Sequence, residues 1–108
     1  MTEFCAYVDG AIIISYDSEK KYLGKISSSY DSDSIFNEYG KYGGEYSSDS
    51  IWNSYSKYGN EYNSYSPFNE YSLNPPILIK DNRVIAKLTV NDSILNSLNP
   101  YVLKACKF

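Results

Sequence analysis

Hydrophobic and polar positions change their rhythm twice along the chain. Near the N-terminus an aliphatic triplet, Ile12-Ile13-Ile14, leads through a polar stretch to Tyr22-Leu23-Gly24-Lys25-Ile26-Ser27. Near the C-terminus a second triplet, Ile77-Leu78-Ile79, leads through Lys80-Asp81-Asn82-Arg83 to Ile85-Ala86-Lys87-Leu88-Thr89. Each is an apolar run, a turn and a second run of the shape apolar, small, Lys, apolar, hydroxyl, and each predicts a β-hairpin. Asp81-Asn82 suits a tight turn because both residues tolerate left-handed backbone angles. The first hairpin has the longer loop, Asp17 to Lys21. Pro75-Pro76 lacks ladder donors and marks the start of the second hairpin. In the tail, Asp92-Ser93 predicts a cap on one helical turn over Ile94, Leu95 and Leu98, ended by Asn99-Pro100. Tyr101 to Phe108 alternates loosely and predicts a last strand beside Phe4 to Val8.

Between the flanks the pattern is neither helical nor alternating. It repeats every 16 residues. Asp33 to Ser48 and Asp49 to Ser64 are identical at 11 of 16 positions, and a truncated third unit begins at Tyr65 and leaves the pattern at Leu73-Asn74-Pro75-Pro76. Phe36, Trp52 and Phe68 align, as do Asn37, Asn53 and Asn69, and Tyr39, Tyr55 and Tyr71. Tyr42 aligns with Tyr58, and Tyr46 with Tyr62. Gly, Ser and Asn at fixed places exclude a helical repeat. The units suit strand-and-turn or solenoid-like coils that must stack to bury an apolar face. The expected fold is one all-β domain over residues 1–108: an N-terminal hairpin region to residue 29, repeats over 30–72, a second hairpin over 73–91, and a tail with a short helical turn.

The tandem Asn-x-Tyr-x-x-Tyr-Gly units, the preceding Tyr30-Asp31-Ser32-Asp33-Ser34-Ile35 and the Asn74-Pro75-Pro76 exit resemble an uncharacterised family of bacterial tandem-repeat domains. The resemblance runs from Leu23 to about Asn91. It implies a fold unit and carries no assigned activity. This chain departs from it in having Ser or Glu after the repeat Asn, where many relatives have Pro, and in lacking Gly at Ala86.

Composition sharpens the picture of the middle. Of 13 tyrosines, nine lie between Tyr30 and Tyr71, while Ile35, Ile51 and Leu73 are the only aliphatics from Ser27 to Pro76. A segment so poor in aliphatics must use its rings as core. Phe36, Trp52, Phe68, Ile35 and Ile51 are therefore expected inside, and Tyr39, Tyr55 and Tyr71 mainly buried with bonded hydroxyls. Asn37, Asn53 and Asn69 are expected to satisfy turn backbone. The rings beside glycine, Tyr42, Tyr46, Tyr58, Tyr62 and Tyr65, are left as candidates to face a ligand.

Charge and missing residue types remove several functions. The net charge is −3 and there is no histidine. That excludes the commonest metal ligand and the usual base of Ser or Cys nucleophiles. The repeat segment, with seven carboxylates against Lys41 and Lys57, repels long nucleic acid. Asp31-Ser32-Asp33-Ser34 has the alternation of a calcium loop but lacks its Gly and distal Glu, so Asp caps on turns are expected and no metal or cofactor. The chain shows neither a membrane-spanning run nor an export signal, so a cytoplasmic protein with reduced Cys5 and Cys106 is expected. A Cys5–Cys106 bridge would need neighbouring termini and an oxidising compartment. The hairpin cations Lys20, Lys21, Lys25, Lys80, Arg83 and Lys87 would form a small positive patch if the hairpins are neighbours, or protect sheet edges.

Two functional readings follow. One is a non-catalytic, nucleotide-sequestering protein of the sponge type. It would capture a compact planar or sugar-phosphate ligand with Tyr42, Tyr46, Tyr58, Tyr62, Tyr65, Lys25, Arg83 and Lys87. The other is a structural or protein-interaction module, self-associating or not, with no small-molecule ligand. A carboxylate-based hydrolase is a distant third, because a repeat protein of this size rarely forms the cleft it needs.

Overall fold

The computed structural model describes residues 2–108. Its elements in chain order are α1 (Glu3–Val8), β1 (Ile12–Ile14), β2 (Tyr22–Lys25), β3 (Ile77–Lys80), β4 (Arg83–Leu88), β5 (Ser97–Leu98) and α2 (Pro100–Leu103). Both hairpins form where the apolar triplets predicted them. They lie side by side in one mixed sheet of order β2-β1-β3-β4-β5, joined through the antiparallel pairing of Ile12–Ile14 with Ile77–Ile79. Asp81 and Asn82 have φ of 53° and 63°, the left-handed pair that a two-residue turn between twisted strands requires. β5 adds in parallel to β4.

The terminal expectations need correction. Phe4 to Val8 lies within a helix, because Thr2 caps it by accepting the Cys5 N–H at 3.2 Å. Asn99-Pro100 begins a helix instead of ending one. The Asn99 side chain accepts the Tyr101 N–H at 2.9 Å, and proline at the first helical position loses no bond. Residues 92–95 form turns, and the tail from Tyr101 contains α2 and no strand among the described residues. Cys5 and Cys106 are bonded to each other across 101 residues of sequence, with Cα atoms 5.6 Å apart.

The repeat region also differs from expectation. Apart from a single bridge of Ser34 to Lys25, the described residues from Ile26 to Pro76 form no strand. They form turns linked end to end. The Asp31 N–H donates to Ser28 O, Ser34 to Asp31, Asn37 to Ser34 and Gly40 to Asn37. One longer step takes Gly44 back to Gly40, and the series continues through Ser47, Ser50, Asn53, Ser56, Asn60, Asn63, Ser66 and Asn69 to Ser72. Four steps of three residues and one of four make the 16-residue period. Nearly every corner is Ser, Asn or Asp, and most of these side chains accept the N–H two residues on: Ser34 from Phe36 (2.9 Å), Ser50 from Trp52 (3.1 Å), Asn53 from Tyr55 (3.0 Å). Such residues satisfy backbone locally and so compete with a strand ladder.

The repeated Asn does two jobs, as a residue bonding turn backbone must. Asn53 Oδ1 accepts from Tyr55, and its Nδ2 donates to Ser47 O at 2.9 Å. Asn37 and Asn69 make the same pair of bonds to Asp31 O and Asn63 O. At the four-residue step the chain doubles back so closely that a methyl at Gly43 or Gly59 would overlap the carbonyl of Asn37 or Asn53.

Packing follows from these turns. Ile35 and Ile51 point inward and join Val8, Ile13, Leu23, Ile26, Leu78, Leu88 and Leu103 in one core. Phe36, Trp52 and Phe68 pack in file as tilted pairs, with ring centroids 6.3 and 5.7 Å apart. The tail lies across this file. Phe108 stacks on Phe36 at 5.7 Å, Lys104 Nζ sits 4.4 Å from the Trp52 ring, and Tyr101 packs on Phe68 at 5.3 Å.

Two stability measurements check this account. Asn53→Asp keeps the acceptor but sets a carboxylate against Ser47 O, and should cost about 2 kcal/mol. In a thermal melt that is a fall of roughly 10 °C for a domain of this size. Reducing the Cys5–Cys106 bridge releases a closure of 101 residues, and should cost about 4 kcal/mol in denaturant unfolding.

Candidate functional site

The same turns decide which tyrosines are free. In each unit the residue two after Asn37, Asn53 or Asn69 points to solvent, and so does the residue two after Gly44 or Asn60. Tyr39, Tyr55 and Tyr71 are 97%, 90% and 81% exposed, so the expectation that they are buried is wrong. Their backbone is already satisfied by the Asn corners, so the unit does not need their rings as core. Tyr46 and Tyr62 are 83% and 84% exposed, and Tyr30, one period before Tyr46, is equally open. Two rows of exposed rings therefore run down the repeats at matching positions.

Tyr39, Tyr55, Tyr46 and Tyr62 line an open groove of about 1370 Å³. Gly40, Gly43, Gly44 and Gly59 contribute backbone to it. Phe36, Trp52, Phe68, Tyr101 and Lys104 extend it along the aromatic file. Glu38, Glu45 and Glu61 are among its lining residues. A hydrogen bond to Glu45 raises the pKa of the Tyr46 hydroxyl. The cation in the lining, Lys104, is committed to the Trp52 face.

The other candidate rings are structural. Tyr42 packs edge-on against Tyr22 with centroids 5.1 Å apart. Tyr65 is half-buried, with Lys57 Nζ 5.9 Å from its ring. Tyr58 is 2% exposed, and its hydroxyl lies 2.5 Å from Asp17 Oδ2 and 3.0 Å from Glu19 Oε2. Lys57 Nζ reaches the same two carboxylates at 3.1 and 3.2 Å. Lys21 pairs with Asp49, which Lys41 also approaches at 3.6 Å. The long loop of the first hairpin thus clasps the inner side of the repeats.

This clasp shifts its members. Burial by itself raises Asp17, but hydrogen bonds from Tyr58, Ser15 and Lys57 outweigh it and hold the carboxyl far below the usual range. Hydrogen bonds from Tyr58 and Lys57 lower Glu19, and one from Lys21 lowers Asp49. Burial, then the bond to Asp17, pushes the Tyr58 hydroxyl up to about 12. Carboxylates held ionised by fixed cations are anchors; a general acid needs the opposite shift.

The candidate cations do not gather into a free patch. Lys25 pairs with Asp31 at 3.6 Å, and Lys80 Nζ donates to Ala6 O and Tyr7 O at 3.1 Å each. Arg83 and Lys87 lie on β4, outside the groove lining. The calcium-like segment caps turns: Asp31 Oδ1 accepts from Asp33 N at 2.9 Å, and Asp33 Oδ2 accepts from the Tyr22 hydroxyl at 2.9 Å. Among the described residues, no group of three or more His, Cys, Asp or Glu is placed to hold a metal ion. No helix among them is long and apolar enough to cross a membrane.

Of the eight candidate residues, then, the groove gathers Tyr46 and Tyr62. Sequence reasoning missed Tyr39, Tyr55, Trp52 and Lys104. The signal for the first two was present, as Ser, Asn or Asp at nearly every third position of the repeat, which sets the direction of each following side chain. No family model, curated protein or solved structure matches the chain.

The clasp makes stability depend on pH at both ends. The lowered carboxylates stabilise the fold above their ordinary range near 4, and that contribution is lost as pH falls through their folded values. Tyr58 is raised, so its contribution is complete below pH 10 and is lost as pH rises towards about 12. Thermal melts of Tyr58→Phe should therefore fall less steeply above pH 10 than those of the parent, and Asp17→Asn should flatten the acid limb.

Proposed function

We propose that the protein is a non-catalytic binding module whose ligand lies along the groove between the two tyrosine rows. The observation that carries this reading is the exposure of rings at the same positions of successive units. Such rings cost hydration and give no core in return, and an open aromatic patch of this kind is the usual mark of a binding face. Their role as a surface also fits the successive units being rungs of a short solenoid-like stack, with each rung offering the same side chains at the same edge.

The ligand is extended, in this reading, and not compact. Tight enclosure of a nucleotide requires burial of most of its surface, whereas this groove is open along one side and three of the rings first considered for it, Tyr42, Tyr58 and Tyr65, lie outside its lining. Glu38, Glu45 and Glu61 weigh against a phosphate group beside them. The non-catalytic part of the proposal rests on the clasp carboxylates being fixed by Lys21 and Lys57, which leaves them no proton to exchange near neutral pH. A Cys5–Cys106 bridge favours an oxidising compartment over the cytosol.

The test pairs stability with capture. Because both side chains are exposed, the double variant Tyr46→Ala, Tyr55→Ala should melt within about 3 °C of the parent. Trp52 is the single tryptophan and lines the groove, so its emission reports occupancy. Titration of a mixed panel of oligosaccharides, nucleotides and peptides should shift that emission in the parent and fail to do so in the double variant. A ligand that binds both proteins equally would remove the groove from the proposal.

A further inference from the structure

We infer that the groove binds an uncharged, linear, β-linked hexose chain, laid down with one sugar ring against each rung; this rests on the groove reading above. Three observations select the class. The first is spacing. The aromatic file places successive rungs 6.3 and 5.7 Å apart. Nucleotides in a base-stacked duplex strand advance by only about 3.4 Å, so a strand that keeps its own stacking does not keep step with the rungs. A hexose is a ring of rung size, and an equatorial β-linkage keeps successive rings in a flat ribbon.

The second observation is chemical. A hexose presents C–H faces edged by hydroxyls. Exposed tyrosine rings offer a flat apolar surface with a polar tip. Carboxylates are acceptors with no proton to give, and so suit ligands that bring donors. Glu45 and Glu61 stand one period apart beside Tyr46 and Tyr62, and Glu38 stands beside Tyr39. That arrangement repeats an acceptor next to a ring at successive rungs. Anionic polymers meet the same carboxylates as repulsion, with Lys104 held on Trp52 and Lys57 held by Asp17 and Glu19.

The third is the state of the backbone. A peptide that binds by strand addition needs an open sheet edge. Here the corner N–H groups of the repeats are bonded within the run of turns itself, so the rungs offer side chains where a strand would need free backbone. The row Tyr39, Tyr55, Tyr71 has its central ring at Tyr55, the ring that any chain longer than one sugar must cross.

Calorimetry with β-1,4-linked glucose oligomers of one, three and six units tests this. The trimer should bind about tenfold or more tighter than the monomer, and the hexamer should gain little more, because the rows span three rungs. Tyr55→Ala should lower trimer affinity by about tenfold while leaving the melting curve unchanged. Equal affinity for monomer and trimer, or a trimer affinity indifferent to Tyr55→Ala, overturns the inference. An adenine nucleotide and a basic proline-rich peptide run alongside. If either binds in a Tyr55-dependent way and no glucose oligomer does, the hexose assignment falls and the groove reading stands. If nothing in the panel binds, both fall.

Discussion

Everything distinctive in this molecule depends on a local hydrogen bond by which most Ser, Asn and Asp corners accept the backbone N–H two residues ahead. A chain with almost no aliphatics from Ser27 to Pro76 cannot be held by burial alone. Ser, Asn and Asp at the corners close each turn as it forms, and the repeated Asn reaches back six residues as well, from Asn53 to Ser47 O and likewise at Asn37 and Asn69. With backbone polarity settled locally, few side chains per unit have to be apolar. Ile35, Ile51 and Tyr58 serve the core, Phe36, Trp52 and Phe68 the file, and Tyr30, Tyr39, Tyr46, Tyr55, Tyr62 and Tyr71 are released to the surface.

This division of labour explains how the two halves of the fold meet. The sheet supplies aliphatic area through Ile13, Leu23, Leu78 and Leu88, while the repeat supplies a polar frame with a narrow apolar stripe. The two join at the ends of β2 and β4. The end of β2 exchanges backbone bonds with Asp33 and Ile35, and beyond β4 the Val90 N–H donates to Pro67 O. Between these joins the loop from Ser15 to Lys21 holds Tyr58, Lys57 and Asp49 by charge and hydrogen bonds. The excess acidity of the repeats is thus partly neutralised at Asp49, by Lys21 and Lys41, and partly shown outside at Glu38, Glu45 and Glu61.

The hairpins were legible from the sequence because their signals are local: apolar triplets, Asp81-Asn82, and a proline pair before the second. The repeat period was legible too, but its conformation was not. Reading the 16 residues as one unit hid the three-residue spacing of Ser, Asn and Asp inside it, and with that the direction of each tyrosine. The buried expectation for Tyr39, Tyr55 and Tyr71 came from assuming that burial must supply the order that hydrogen bonding supplies. Trp52 and Lys104 were out of reach for another reason, since their contact depends on where the C-terminal tail crosses the file, and no periodicity records that. The disulfide similarly depends on a meeting of chain ends, and no local pattern around Cys5 or Cys106 records that meeting.

The tail crossing has one more implication. Tyr101, Lys104 and Phe108 meet Phe68, Trp52 and Phe36 at intervals of three and four residues. The tail leaves α2 at Leu103 and still places one contact on each ring of the file, so it works as a ruler graduated in rings. File length and tail length are therefore matched. A descendant that gained a further unit by duplication would leave its newest ring uncovered until the tail also grew by three or four residues. Growth of the array is checked from outside it, by a segment that carries no repeat of its own.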